Sequence, residues 1–411
     1  RQGLAAVARA RSGGGDLPEG TSIRVTKALG SRGYNKVRVS LVTCPGDGGG
    51  SGSTTWTYSA KFEHKWTNCY IKSAIVEAKP GQKTSVDVDG ESIDVKLPKE
   101  DEGVQILLMA DPCLGCAGSK VYTDITGMTN DLINQMAEKG ELDYWVTIGD
   151  NWYDITGEHH NLLWSGFSKA AMSIFFGATL GNHDFWIESS PEKAKDDDSY
   201  GFGHTQWYGM DSMAAKDDEA KPFDLSTSPP EVVPVSNTFW YHTIGNVALI
   251  GFANNYDWGS VEGYFTEACS FIGESKAKFT LLLAHWSYGH DGTEADMTTD
   301  QVYQKVSGLS GCSDIPMRYA LGHTHENHIM GDNNGFMVGA WGFGSGKQDG
   351  SLGIPILSTK ENKAVLHYWK LGVGGEKLVG SYDETLECLQ SKGVSGCTDL
   401  DSHETWMEES I

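Results

Sequence analysis

Tyr144-Trp145-Val146-Thr147-Ile148-Gly149-Asp150-Asn151-Trp152-Tyr153 is the stretch on which the reading of this chain turns. Five residues of strand character run straight into Gly-Asp. The same grammar recurs four times: Val104–Ala110 runs into Asp111, and Ala178–Leu180 into Gly181-Asn182-His183-Asp184. Phe279–Ala284 runs into His285, and Met317–Leu321 into Gly322-His323-Thr324-His325. These apolar runs are of strand length, too short for helices. In an α/β sheet, ligands bind beyond the carboxyl ends of the strands. One Gly-Asp or Asn-His-Asp after a strand is ordinarily a turn or a cap. A His-x-His in a strand-like segment aims two imidazoles the same way. Five strand ends in order, supplying two carboxylates, a phenol, an amide oxygen and three imidazoles, make a site.

Working outward, the segments between these runs alternate helix with strand, which predicts an α/β catalytic region over 104–370. Helices are expected near Asp131–Lys139, stopped by Gly140, and over Asn161–Phe176, Val261–Gly273 and Thr299–Val306. A further strand is expected at Asn246–Phe252, and residues 336–370 return to β character. Glu192–Val233 is acidic and rich in Pro and Gly, as in a surface insertion. Its Trp207 and Tyr208 are candidates to line a substrate mouth, and Asp196–Asp198 reads as a solvated face.

Upstream the signals are β only. Residues 1–20 read as a flexible lead and 21–98 as a small β-sandwich, with Lys96–Gly103 as a charged linker. Strands are expected over Tyr34–Cys44, Thr54–Trp66, Cys69–Ala78 and Thr84–Leu97, the last alternating around Asp89-Gly90 as a hairpin does. Residues 371–411 read as an acidic tail held by Cys388 and Cys397.

Composition narrows the function. Asp and Glu number 55 against 32 Lys and Arg, a formal charge of −23, which gives no electrostatic reason to bind nucleic acid or anionic membrane. No apolar run approaches the ~18 to 20 residues of a membrane span. Eight cysteines, without a four-ligand zinc spacing, suit an oxidised, secreted chain. The start at Arg1 fits a removed or truncated leader. By proximity in sequence the expected pairs are Cys44–Cys69, Cys113–Cys116, Cys269–Cys312 and Cys388–Cys397, with metal binding by Cys113 and Cys116 as the alternative for that pair. Nothing in the sequence sets the oligomeric state.

The donor mixture has a chemistry. Two metals about 3.5–4 Å apart need a bridging carboxylate and enough N and O donors to fill each shell while leaving positions for water and substrate. A hard, mixed set suits iron, zinc or manganese, where an all-thiolate site would be closed and structural. Such a pair clamps a phosphate ester and lowers the pKa of a bound water.

On Asp111, Gly149-Asp150-Asn151-Trp152-Tyr153, Gly181-Asn182-His183-Asp184, Ala284-His285 and Gly322-His323-Thr324-His325, the chain resembles the calcineurin-like metallophosphoesterases. The Tyr three residues after the second Asp resembles the purple acid phosphatase branch, as does the aromatic stretch Thr238–Asn255. Other branches mostly carry a His where Cys113 stands. The resemblance, over roughly 104–370, implies a four-layer α/β sandwich of βαβ units with a small N-terminal all-β sandwich domain. It implies a ferric ion held by Asp111, Asp150, Tyr153 and His325. Asp150 would bridge to a divalent ion, Zn, Mn or Fe(II), held also by Asn182, His285 and His323. His183 would meet the substrate as proton donor or phosphate-positioning group, oriented by Asp184. His290, five residues past His285, stands nearest to a further active-site His of the family. The implied activity is hydrolysis of small phosphate monoesters by metal-bound hydroxide. A phosphodiesterase or nucleotidase with the same metals, or a silent surface protein that keeps the fold, are the alternatives. His64, His159, His160, His204, His242, His328, His367 and His403 read as surface or core residues.

Overall fold

The computed structural model describes residues 21–43, 58–61, 70–112, 125–151, 163–184, 209–215, 234–253, 256–286, 297–339, 351–373 and 378–411. In chain order the first strands are β1 (Thr21–Lys27), β2 (Lys36–Thr43), β3 (Tyr58–Lys61), β4 (Tyr70–Glu77), β5 (Gln82–Val88) and β6 (Glu91–Leu97). Then come β7 (Gln105–Met109), α1 (Ile125–Lys139), β8 (Tyr144–Ile148) and β9 (Phe175–Thr179). The second half holds β10 (Trp240–Ile244), β11 (Val247–Gly251), α2 (Trp258–Glu274), β12 (Phe279–Leu283), α3 (Thr299–Ser307) and β13 (Met317–Leu321). The chain closes with β14 (Asn327–Ile329), β15 (Gly335–Val338), β16 (Ser351–Ser358), β17 (Lys363–Val373), α4 (Leu378–Lys392) and β18 (His403–Ser410).

Two large sheets result. The first has ten strands in the order β18-β17-β16-β7-β8-β9-β1-β2-β4-β3; the second has six, β10-β11-β12-β13-β15-β14. β7, β8 and β9 run parallel and are buried along their whole length, which is why their sequences are apolar runs rather than alternations. β11, β12, β13 and β15 are likewise parallel. β10 enters this sheet as a hairpin with β11, turned by Gly245 at φ +55°.

Among the described residues the N-terminal region supplies strands β1–β6, the β character its sequence predicts, and it is joined to the catalytic part edge to edge. β1 lies parallel to β9, pairing Val25 with Phe175 and Thr26 with Phe176, and β2, β4 and β3 follow antiparallel. β5 and β6 form the Asp89-Gly90 hairpin, both turn residues at positive φ as a type I′ turn requires. Alternate residues Ile93, Val95 and Leu97 enter the same core as β7–β9.

Helix ends obey local chemistry. Gly140, at φ +70°, closes α1. The Asp257 side chain caps α2, and Thr298 and Gln301 form a capping box at the start of α3. One expectation is corrected. The single helix expected over 161–176 is broken: Ser168, in extended conformation, caps a short turn at Lys169–Met172, and the apolar pair Phe175-Phe176 opens β9. In the acidic C-terminal stretch, α4 packs near β17 and β18 pairs antiparallel with β17. Disulfides join Cys269 of α2 to Cys312 and Cys388 of α4 to Cys397, as proximity predicted. Cys44, Cys69, Cys113, Cys116, Trp207, Tyr208 and Asp196–Asp198 lie outside the described residues. Among the described residues no helix is long and apolar enough to cross a membrane.

Candidate metal centre

Both sheets deliver side chains to one place. β7, β8 and β9 of the first end before Asp111, Asp150 and Asn182; β12 and β13 of the second end before His285, His323 and His325. Cross-sheet bonds hold the ends together. The His323 backbone N–H donates to Asp111 Oδ2 at 2.8 Å, and His285 Nδ1 lies 3.0 Å from the Ile148 carbonyl. A donor N–H at Nδ1 leaves the His285 Nε2 lone pair facing the site, the orientation of a metal-ligating histidine.

The turns that carry the candidate ligands are conformationally exceptional. Asp111 (φ +49°), Asp150 (+49°), His323 (+78°) and His325 (+55°) are four of the eight non-glycine residues at positive φ among the described residues. Such residues persist only where surrounding structure over-determines them, typically at functional sites. This corrects one expectation: His323 and His325 are not neighbours on a strand face. They occupy a left-handed turn after β13 and reach different partners. Gly149, Gly181 and Gly322 stand just before Asp150, Asn182 and His323 because nothing larger fits there. A Cβ at Gly149, itself at φ +81°, would collide with the His285 ring, and one at Gly181 with the backbone of Asp150.

Two triads of possible ligands form. Asp150, His285 and His323 make one, and Asp111, Asp150 and His325 the other, the donor atoms of each within 4.8 Å of one another. Asp150 belongs to both. His285 Nε2 is 3.3 Å from Asp150 Oδ1, and His325 Nε2 is 3.3 Å from Asp111 Oδ1. The Asn182 amide stands 3.2 Å from His323 Nδ1, and with its nitrogen turned inward it reaches both Asp150 oxygens at 3.3 Å. With its oxygen inward it offers a cation ligand to the first triad. His183 donates its backbone N–H to Asp150 Oδ1 at 2.8 Å, and its Nε2 is 3.9 Å from Asp150 Oδ2. Its side chain is 22% exposed, so a substrate can reach it, whereas that of His285 is 0% exposed.

These donors fit cations on an observation of their own. Asp111 Oδ1 and His285 Nε2, on wholly buried residues, have no well-formed hydrogen bond within the protein, only the 3.3 Å ion contacts to His325 Nε2 and Asp150 Oδ1. A buried polar atom without a hydrogen bond is costly unless something else satisfies it. The electrostatics agree. Burial alone would raise the Asp150 carboxyl, but His285 and His183 overcome it and hold the group well below its ordinary value. Burial would lower His285, yet the carboxylates of Asp150 and Asp111 lift it to about 9; His325 is raised by Asp111 in the same way against its burial. Concentrated negative charge of this kind accommodates cations.

Asp184, expected to orient His183, makes hydrogen bonds to Gly181 and Asn151. Burial and the charge of Asp150 push its carboxyl up to about 8. Asn151 escaped sequence reading, since an Asn after Gly-Asp looks like any turn residue. Trp286 also went unremarked; it is buried with Leu180 and Ala253 and meets the His285 ring edge-on at 5.0 Å. The bland reading fits the places of the described histidines: His242 is buried against Trp240, and His367 pairs with His403 at 3.0 Å across β17 and β18, while His64, His159, His160 and His204 lie outside the described residues. Tyr153 and His290 lie outside the described residues.

No protein-family model matches the chain, and no curated protein matches it in sequence. Solved structures do. The purple acid phosphatase PPD1 from yellow lupin (Lupinus luteus) seeds superposes with a TM-score of 0.56 at 13% identity, covering 87% of this chain and 72% of that one. PhoD superposes with a TM-score of 0.51, again at 13% identity, covering 87% of this chain and 88% of its own. With ligand turns at five strand ends and two sheets meeting at them, the chain has the metallophosphoesterase fold.

Proposed function

We propose that this chain is a two-metal phosphoesterase that hydrolyses small phosphate monoesters. The observation that carries the reading is Asp150, a buried carboxylate common to two ligand triads. A bridging carboxylate between two donor sets is the arrangement that two-metal hydrolysis needs. Asp111, Asp150 and His325, with Tyr153 three residues beyond Asp150, would hold a ferric ion. Asp150, Asn182, His285 and His323 would hold Zn, Mn or Fe(II). When bound, such ions supply Lewis acidity that polarises a phosphoryl oxygen and acidifies a water.

The chain's own groups supply the rest. His183, at the accessible rim and within 3.9 Å of Asp150, is placed to position the phosphate or to protonate a departing alkoxide. His285, held by the Ile148 carbonyl, keeps one orientation throughout. His290 would stand on the substrate side. Two disulfides support an oxidising, extracellular setting.

Phosphate release from a monoester and a diester, before and after chelation, tests this directly. Monoester turnover should disappear with the metals and return with iron plus a divalent ion. Colour in the iron-loaded protein that is bleached by Tyr153→Phe supports the ferric assignment. Turnover untouched by chelation refutes the two-metal reading, and a preference for the diester corrects its substrate.

A further inference from the structure

We infer that Asp184 and Asn151 form a clamp that positions the two turns bearing Asp150 and Asn182; the inference rests on the two-metal reading and adds residues to it. β8 and β9 are parallel neighbours whose ladder ends at the pair Ile148 and Thr179. Beyond that pair the ladder stops, and side-chain hydrogen bonds join the two turns. Asp184 is 2% exposed. Its Oδ2 accepts the Gly181 N–H at 2.7 Å and the Asn151 Nδ2–H at 2.8 Å, while Oδ1 accepts the Asn151 backbone N–H at 2.8 Å. Asn151 Nδ2 also donates to the Thr179 carbonyl at 3.0 Å. Three of these bonds tie the residue after Asp150 to Thr179 and Asp184, on either side of Asn182, and the fourth ties Gly181 to Asp184 across it.

The geometry suits positioning rather than ligation. Both Asp184 oxygens face N–H donors, and the residue belongs to neither triad. The clamp instead fixes what the triads need. Asp150 sits at φ +49°, a conformation that its own side chain does not favour, and Asn151 is locked on its carboxyl side by two donated bonds. Gly181, locked on the amino side of Asn182, is the residue whose lack of a Cβ lets the turn approach Asp150. A shift of either turn moves the shared carboxylate relative to the histidines. Outer partners of this kind typically contribute 10- to 100-fold to metal affinity.

Asp184→Asn and Asn151→Ala in the full chain, stripped of metal and titrated with Mn²⁺ by calorimetry, test the clamp. Asp184→Asn replaces an acceptor of three N–H groups with an amide that must turn its own N–H₂ toward at least one of them. It should weaken Mn²⁺ binding about 10- to 100-fold and shrink the Mn²⁺-induced rise in unfolding temperature. Asn151→Ala, which keeps both backbone bonds to Asp184, should act in the same direction and less. A role confined to stability would lower the unfolding temperature of the stripped protein and leave Mn²⁺ affinity unchanged. That result in either folded variant overturns the inference, and Asn151→Ala decides if Asp184→Asn does not fold. A wild-type chain that takes up no Mn²⁺ removes the two-metal reading and the clamp with it, while wild-type uptake with unchanged variants removes the clamp alone.

Discussion

His285 is the residue through which pH enters the site. Its burial opposes protonation, but the carboxylates of Asp150 and Asp111 prevail and lift it to about 9, so the metal-free imidazole carries a proton at neutral pH. A cation needs the Nε2 lone pair and must displace that proton. Apparent cation affinity should therefore rise with pH, by about tenfold per unit for one displaced proton, and level off above about 9. His325, raised by Asp111, adds to the slope. Mn²⁺ titrations in buffers of different ionisation enthalpy measure the protons released; a pH-independent affinity with none released would contradict the assignment of His285 as a ligand. By the same linkage, the raised His285 contributes stability to the metal-free fold that is full below the ordinary imidazole value of about 6.5 and is lost as pH rises through about 9. The candidate ligands Asp111, Asp150, Asn182, His285, His323 and His325 were legible in sequence as a set because each lies just beyond an apolar run that ends abruptly. Their backbone conformation was not. A left-handed φ at Asp111, Asp150, His323 and His325 is imposed by contacts from other strand ends, and no local propensity announces it.

At the scale of elements, strands Tyr144–Ile148 and Met317–Leu321 end where their apolar runs end, since a buried parallel strand is apolar throughout. The region over 161–176 was harder, because Trp164, Phe167 and Phe175 satisfy helix and strand patterns alike. Ser168 settles it by capping a new turn. The charge of the C-terminal stretch has a structural place: β18 is an edge strand, and its exposed Glu404 and Glu408 are what an edge tolerates. Cysteine spacing was the more reliable guide. The Cys269–Cys312 bridge closes a loop of 43 residues that spans the rest of α2, β12 and α3. In the chain-entropy account such a bridge stabilises by about 4 kcal/mol. Replacing both cysteines by Ala should lower the unfolding free energy by roughly that amount, measured by urea denaturation of the metal-free protein, with far-UV circular dichroism unchanged. A loss under about 1 kcal/mol would mean that packing of Val261, Phe265 and Ile272 against the core already holds α2 in place.

For the whole molecule, the union of the N-terminal strands with the catalytic sheet is the feature no local pattern could reveal. β1 meets β9 through a pairing between residues 150 positions apart (Val25 with Phe175), and a hairpin-rich segment reads the same whether it closes on itself or extends a neighbour. Asp211 fastens this union. It is buried, its carboxylate lies 2.8 Å from Arg32 Nε and 2.7 Å from Arg38 Nη2, and it accepts the Leu29 N–H at 2.6 Å. Its neighbours bind elsewhere: the Gly209 carbonyl accepts the Ser40 hydroxyl, the Met210 sulfur accepts the Ala178 N–H, and Met213 donates to Phe239 at the entry to the second sheet. Residues 209–215 therefore connect β2, β9 and β10. Removing one partner of a buried ion pair typically costs about 3–5 kcal/mol, because the remaining charge stays buried without compensation. Asp211→Ala removes the carboxylate that Arg32 and Arg38 share and should lower the unfolding free energy by about that much. The loss should appear in a single transition, since β1–β4 and β7–β9 share one sheet and one core. Urea denaturation followed by tryptophan fluorescence and by far-UV circular dichroism reads both quantities. Two separated transitions, with only the first moved by Asp211→Ala, would show that the N-terminal strands fold as an independent unit despite their shared edge.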